Sequence, residues 1–337
     1  MQSVTGQAFG EIDGRKVSLF KLQNSKGNAV EVIDYGGYLR SWLVKDKAGN
    51  WVDILLGYDT LAEYQKDDVY LGCLVGRVCN RIRAGTFELH GNRFNLAVNN
   101  GPNHLHGGVC GFNTKIWKSA IKGNKLELSR SSEDGEECYP GRVECRVTFE
   151  LTEENELKIS YEAVTSAATP LNLTSHAYFN LCGEGTPTLD NHQVTIYSDT
   201  SLPTDADALV TGEIEPVEGK LSDLRRPVLL GSVLQRFSDP NKLFPSDFDR
   251  YFCVDNDRQL KLIARQDGLS SLYQPGVQFY TGAYLNQIGK GGKEYGMQSA
   301  LCFETHGYPD AVNNERFPSV ILNPGETYRH LCVYKCQ

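Results

Sequence analysis

The chain of 337 residues carries 34 Lys and Arg against 42 Asp and Glu, a net charge of −8 with a pI near 5.5. That balance excludes the basic stripe that nucleic acid or an anionic membrane would attract, and it points to a small or neutral partner. With 33 glycines, 17 tyrosines and 2 methionines, the composition suits a large, turn-rich β protein better than a helical one.

The opening stretch MQSVTGQAFGEIDGRKVSLF has no positive segment leading into an apolar run, and no later run approaches membrane-spanning length. A cytoplasmic address is therefore expected. Strand signals begin at Val17 to Leu22 and Val30 to Tyr35, the second ending at Gly36-Gly37, and continue at Trp51 to Tyr58 before a short helical piece around Leu61 to Gln65. Phe87 to Leu89 and Arg93 to Leu96 flank Gly91-Asn92, a hairpin signal because both residues tolerate positive φ. Ile116 to Ile121 and Leu126 to Ser129 join through Gly123-Asn124, and Val143 to Leu151 and Leu157 to Val164 alternate apolar with polar residues across Glu153-Glu154-Asn155. Such alternation predicts half-buried antiparallel strands.

Ser201 to Lys220, with Pro203, Pro216 and several acids, reads as a long surface loop, and Leu229 to Phe237 as a helix. Strands resume at Gln259 to Ala264, Val277 to Leu285 and Ser299 to Phe303, and a turn at Asn323 to Glu326 precedes a last strand from Tyr328 to Tyr334. With no composition break and no linker, the expected architecture is all-β: one large antiparallel β-sandwich spanning residues 1–337 as a single domain. The ten cysteines form no Cys-x-x-Cys pair and read as free thiols of the core in a reducing compartment. In that compartment the sequon at Asn172-Leu173-Thr174 carries no glycan.

Two apolar runs are interrupted by groups that carry chemistry. Leu171 to Leu181, LNLTSHAYFNL, holds His176; alone, this histidine reads as a satisfied core residue. Ala300 to Val312, ALCFETHGYPDAV, holds Glu304 in the same way, and a glutamate is rarely buried without a reason. His104-Leu105-His106 begins like a cupin-type metal site, but the next acid is Glu127, so no metal is expected there. Gly107-Gly108 suggests instead a loop over a cavity where a ligand approaches the backbone, with one histidine serving the site and the other on the surface. Gly289 to Lys293 lacks the remainder of a phosphate-binding pattern and reads as a surface loop. Asn80-Arg81 reads equally as a strand end or a functional pair, and Asp249 among Phe248, Tyr251 and Phe252 suits a turn or a sugar ligand.

Separated motifs then occur in an order that resembles the aldose 1-epimerase (galactose mutarotase) family over essentially the whole chain. They are Gly76 to Ile82, Asn103 to Gly108, Asp134 to Glu137 with Tyr139-Pro140-Gly141, Asn172 to Leu181, Gln274 to Gly282, and Glu304-Thr305 with Tyr308 to Ala311. The resemblance implies a β-sandwich with an open cleft for a free hexose, Glu304 as catalytic base, His176 as catalytic acid, and Asn80, Arg81, His106, Asp249 and Gln278 as sugar-holding residues. It implies no cofactor, and a monomer or weak homodimer is expected.

The chemistry fits the residue types. Exchanging anomers requires a proton to leave the C1 hydroxyl while one reaches the ring oxygen, and a carboxylate with an imidazole supplies both. In this scheme Arg81 and His106 hold hydroxyls, the ring oxygen or the open-chain aldehyde. The chain departs from the family's pattern at Arg250, where histidine is frequent after the aspartate, at His306, where glutamine is frequent, and at Cys138, where glycine is frequent. Arg250 is expected to place a charge near Asp249 and to alter sugar preference. Two other activities remain open: a non-catalytic sugar-binding protein, which would dispense with Glu304 or His176, and a hexose-6-phosphate epimerase, which would need a basic cluster. A metal-dependent, cupin-like enzyme ranks third.

Overall fold

The computed structural model describes residues 2–234, 248–254, 260–264, 267–272 and 275–336. Strands dominate it, as the alternation predicts. Val143–Leu151 and Glu156–Thr165 alternate more and less buried positions with period two and pair in register from Val143 opposite Thr165 to Leu151 opposite Leu157. They stand inside a nine-stranded antiparallel sheet. Its order is Lys118–Lys122, Lys125–Ser132, Val143–Leu151, Glu156–Thr165, Tyr328–Cys336, Asp267–Leu272, Leu260–Ala264, His192–Thr195 and Val228–Leu229.

A second, six-stranded sheet runs Tyr178–Phe179, Leu301–Thr305, Gly276–Tyr280, Asp249–Cys253, Thr200–Leu202 and Glu215–Pro216. Every position of Gly276–Tyr280 and Leu301–Thr305 is buried, so both faces of this sheet are covered. One face packs on the first sheet. Val277, Phe279, Phe303 and Phe252 join Val147, Phe149 and Ile159 in one apolar cluster, where each side chain contributes roughly 1.5–3 kcal/mol by leaving water. Phe279 stacks on Phe303 at 5.1 Å between ring centroids, and the Tyr334 hydroxyl donates to the Phe303 carbonyl at 2.6 Å.

Residues 3–53 form a five-stranded meander, Ser3–Ile12, Arg15–Gln23, Ala29–Ile33, Leu39–Lys45 and Trp51–Asp53. The short helix follows as expected at Leu61–Tyr64. It is started by a capping box in which Thr60 and Glu63 satisfy each other's backbone amides.

Three expectations shift. The hairpin of Thr86–Leu89 and Asn92–Asn95 turns on His90-Gly91, both at positive φ (50° and 77°), one residue before the Gly91-Asn92 signal. The segment 201–220 is more than a surface loop, because Thr200–Leu202 and Glu215–Pro216 form the outer strands of the six-stranded sheet. The helix at Leu230–Leu234 begins where expected, while Phe237 lies outside the described residues, as do Gln259 and Gln274 of the later expectations. The ten cysteines form no disulfide with one another, and Cys110 and Cys138 are exposed and do not belong to the core. Among the described residues no helix is long and apolar enough to cross a membrane.

Candidate active site

The outer face of the six-stranded sheet is the floor of the site. Register sets Gln278 opposite Glu304 and Tyr251 opposite Gln278, and Asp249, two residues before Tyr251, shares their face by alternation. Tyr178 pairs with Cys302 in the same sheet; extending that register by two residues sets His176 across from Glu304. The imidazole Nε2 of His176 lies 3.6 Å from Oε1 of Glu304.

The side wall comes from two short strands, Arg81–Ile82 and His104–Leu105, which pair antiparallel. Asn80 and His106 flank them in left-handed conformations (φ 61° and 53°) and lock each other. The His106 amide donates to the Asn80 carbonyl at 3.2 Å, and the Asn80 amide donates to His106 Nδ1 at 3.1 Å. Because His106 Nδ1 accepts, its Nε2 carries the proton of the neutral ring.

A chain of polar contacts continues across the floor. Asn80 Nδ2 donates to Gln278 Oε1 at 3.2 Å, and Gln278 Nε2 donates to Asp249 Oδ1 at 2.5 Å. The Arg81 guanidinium stands 3.7 Å from Asp249 Oδ2, and its Nε donates to Asn100 Oδ1 at 3.0 Å. All the site residues expected from the sequence thus line one open cleft of about 750 Å³.

Burial sets the charges here. It pushes the Glu304 carboxyl well above the usual carboxylate range, with the Asp249 charge adding and Arg81 opposing. It also lowers His176 to about 4, and it holds His106 well below the usual imidazole range with help from His176 and Arg81. Burial thus disfavours the charged form of both His176 and Glu304. Glu304 Oε2 is buried without a hydrogen-bond partner. Ligand atoms of His106, His176 and Glu304 lie within 4.8 Å of one another, a donor set able to hold a divalent cation.

Several expectations are corrected by position. His104 is neither a ligand nor a surface residue. It is fully buried, its Nδ1 donating to the Ala97 carbonyl at 2.7 Å and its Nε2 accepting from the Tyr139 hydroxyl at 2.7 Å. Gly107 makes room for backbone, not for ligand: a Cβ there would meet the Gly76 carbonyl oxygen at 1.9 Å. Arg250 points away from the cleft, because alternation puts it on the opposite face from Asp249, and it donates to Glu215 at 2.7 Å. His306 is buried against Tyr251 with Nδ1 bonded to the Gly307 carbonyl at 2.6 Å. Cys138 adopts φ 67°, a conformation that a glycine takes without strain.

The aromatic part of the site escaped sequence reasoning. Tyr178 stacks on His176 at 5.0 Å, Tyr70 stacks on its ring at 6.0 Å and meets His106 edge-on at 4.6 Å, and Tyr280 closes a third side at 6.3 Å. The strand-like alternation of Tyr178 with His176 could have found the first. Tyr70 is held at φ 59° in a turn pinned by Asp67, whose carboxylate accepts the Val69 and Leu71 amides. Asn100 was announced only by the turn-rich run Asn99 to Asn103.

The sequence pattern described as Aldose 1-epimerase matches residues 18–335. A human protein named galactose mutarotase is 43% identical across 99% of both chains, and an aldose 1-epimerase of Escherichia coli K12 is 30% identical across 96% of both. Among solved structures, an aldose epimerase homologue from C. elegans superimposes with a TM-score of 0.89 at 27% identity, covering 95% of this chain and 99% of its own. Galactose 1-epimerase from Lactobacillus acidophilus gives a TM-score of 0.86 at 25% identity over 100% of this chain and 99% of its own.

Proposed function

Because the chain belongs to the aldose 1-epimerase family, we propose that this cleft interconverts the α and β anomers of free hexoses, galactose and glucose, with Glu304 as base and His176 as acid. The observation that carries this assignment is the unpartnered Glu304 Oε2 on a carboxyl 3.6 Å from His176 Nε2 at the bottom of an open cleft.

The steps conserve protons. With the closed sugar bound, the pair is Glu304 carboxylate and His176 imidazolium. Glu304 removes the C1 hydroxyl proton as the C1=O bond forms and the bond from C1 to the ring oxygen breaks, and His176 Nε2 gives its proton to that ring oxygen. The open chain then lies between a neutral carboxyl and a neutral imidazole. The aldehyde turns about the C1–C2 bond, both transfers reverse, and the ring closes on the other face. Burial penalises both charges of the first state, so the transfers that neutralise the pair relieve that penalty. Arg81, His106, Asn80, Asp249 and Gln278 hold the sugar hydroxyls, and Tyr70 and Tyr178 keep water from the faces of His176.

No cofactor takes part, so turnover is expected to be unchanged in the presence of a strong chelator. We further assign residues 1–337 to a single working domain, monomeric or weakly dimeric and cytoplasmic, with a small-molecule sugar as its partner and neither nucleic acid nor membrane.

The experiment is polarimetric decay of freshly dissolved α-D-galactose and α-D-glucose with the wild type, with Glu304→Gln and without enzyme. Acceleration by the wild type that disappears in the variant supports the assignment. A wild-type rate equal to the spontaneous one on both sugars overturns it.

A further inference from the structure

His176 has two ring nitrogens, and only one can serve the sugar. Its backbone is fixed, the amide donating to the Cys73 carbonyl at 2.9 Å and the carbonyl accepting from the Gly72 amide at 3.1 Å. Its ring faces are covered by Tyr178 and Tyr70. The remaining freedom is the flip about χ2 that exchanges Nδ1 and Nε2, and the groups at the two nitrogens decide it. Nε2 faces Glu304 Oε1 at 3.6 Å, and Nδ1 faces the sulfur of Cys302, also at 3.6 Å. Cys302 and Glu304 alternate onto one face of the strand Leu301–Thr305, about 7 Å apart along it. One strand thus grips the imidazole at both ends.

We propose that Cys302 is a positioning residue for the proton transfer: its sulfur accepts the Nδ1–H of His176 and leaves Nε2 as the nitrogen that exchanges a proton with the sugar. The inference rests on the assignment of His176 as the acid. In the imidazolium both nitrogens carry protons. In the neutral state Nε2 has given its proton to the ring oxygen and must be ready to take it back, so the ring's own proton stays on Nδ1. The partner of Nδ1 must therefore accept in both states. A carboxylate in that place would stabilise the imidazolium and tie the proton to His176. A thiol sulfur is a weak acceptor, so it orients the ring without favouring the charged state. The thiol keeps its own S–H proton throughout, and no bond to sulfur forms or breaks.

The test joins ¹⁵N NMR of the His176 ring in the wild-type protein with the kinetics of Cys302→Ala and Cys302→Ser. The expected spectrum shows the proton-bearing nitrogen of the sugar-free ring at Nδ1. Cys302→Ala is expected to lower kcat about tenfold with KM within about twofold, and Cys302→Ser, whose oxygen accepts in the same place, to recover kcat to within about threefold of wild type. A proton-bearing Nε2 in the wild type overturns the inference without any variant having to fold. So does a wild-type kcat in the alanine variant, or an alanine loss that serine does not recover, which would mark a packing role. Wild-type turnover in His176→Gln would instead overturn the acid assignment itself.

Discussion

The strands Gly276–Tyr280 and Leu301–Thr305 are buried along their whole lengths, yet their two faces have opposite characters. Toward the nine-stranded sheet they present Val277, Phe279, Leu301 and Phe303, apolar side chains packed among others of their kind. Toward the cleft the same strands present Gln278, Tyr280, Cys302 and Glu304, and there a buried carboxylate oxygen has no partner. Burial therefore does not distinguish core from site here; hydrogen-bond satisfaction does. The apolar face gives the strands a rigid seat, and the polar face uses that rigidity to hold charge-resistant groups at fixed distances.

Substitutions on the two faces should separate activity from stability. Glu304→Gln keeps the shape of the floor but removes the proposed base, so kcat is expected to fall about 10³-fold, within the range general base catalysis supplies. Thermal unfolding of this variant should stay near the wild type, because burial already disfavours the Glu304 charge. Phe303→Ala, one residue away and on the other face, should cost about 3–5 kcal/mol of stability by leaving a cavity beside Phe279. Urea denaturation would read that loss, and kcat per folded molecule should remain within a few-fold of wild type. If Phe303→Ala abolished turnover at unchanged stability, the division between the faces would be wrong.

Acid should expose the same contrast, because buried imidazoles stand on both sides of it. Burial lowers His176, His192 and His306 to about 4 and His330 to about 3. In the unfolded chain these groups titrate near about 6.5, so the unfolded state takes up protons first. Their contribution to stability is complete above about pH 6.5 and is lost as the pH falls toward 4. Glu304 and Asp67, the latter raised by burial to about 6, act oppositely and favour the folded state at low pH. The histidines outnumber them, so Tm should drop steadily between pH 7 and pH 5. A flat or rising Tm over that interval would show that these rings are not held neutral.

A smaller effect belongs to the floor. Gln278 bridges Asn80 to Asp249, and Gln278→Ala breaks both contacts while leaving His176 and Glu304 in place. KM for galactose should rise about tenfold, equivalent to about 1.4 kcal/mol, with kcat changed much less. A loss confined to kcat would move Gln278 from holding the sugar to the chemistry itself.

Much of the scaffold was legible because it follows period two. Val143–Leu151 and Glu156–Thr165 announce their pairing by alternation and by the turn between them. The short strands Thr200–Leu202 and Glu215–Pro216 were not legible, since two or three residues are too few to display a period. The histidine and the glutamate stood out as polar interruptions of apolar runs, but nothing local places His176 against Glu304. That juxtaposition comes from the pairing of Tyr178 with Cys302, positions far apart in the chain. Tyr70 was invisible for a related reason, since its place depends on a left-handed turn held by Asp67. The residues proposed to hold the sugar were reached through family resemblance, and geometry then joined them into one network.

Arg250 marks the limit of that resemblance and gives the smallest expected effect. Its neighbour Asp249 faces the cleft, but register sets Arg250 opposite Phe279, on the far face of the strand. There it pairs with Glu215, and both side chains are about one-quarter exposed, at 26% each. An ion pair so placed contributes about 0–1 kcal/mol. Arg250→Ala should therefore leave kcat and KM for both galactose and glucose within about twofold of wild type and lower stability by no more than about 1 kcal/mol. A changed ratio between the two sugars in this variant would show that charge on the far face of the strand reaches the cleft, and the separation of the faces would then be a matter of packing and not of electrostatics.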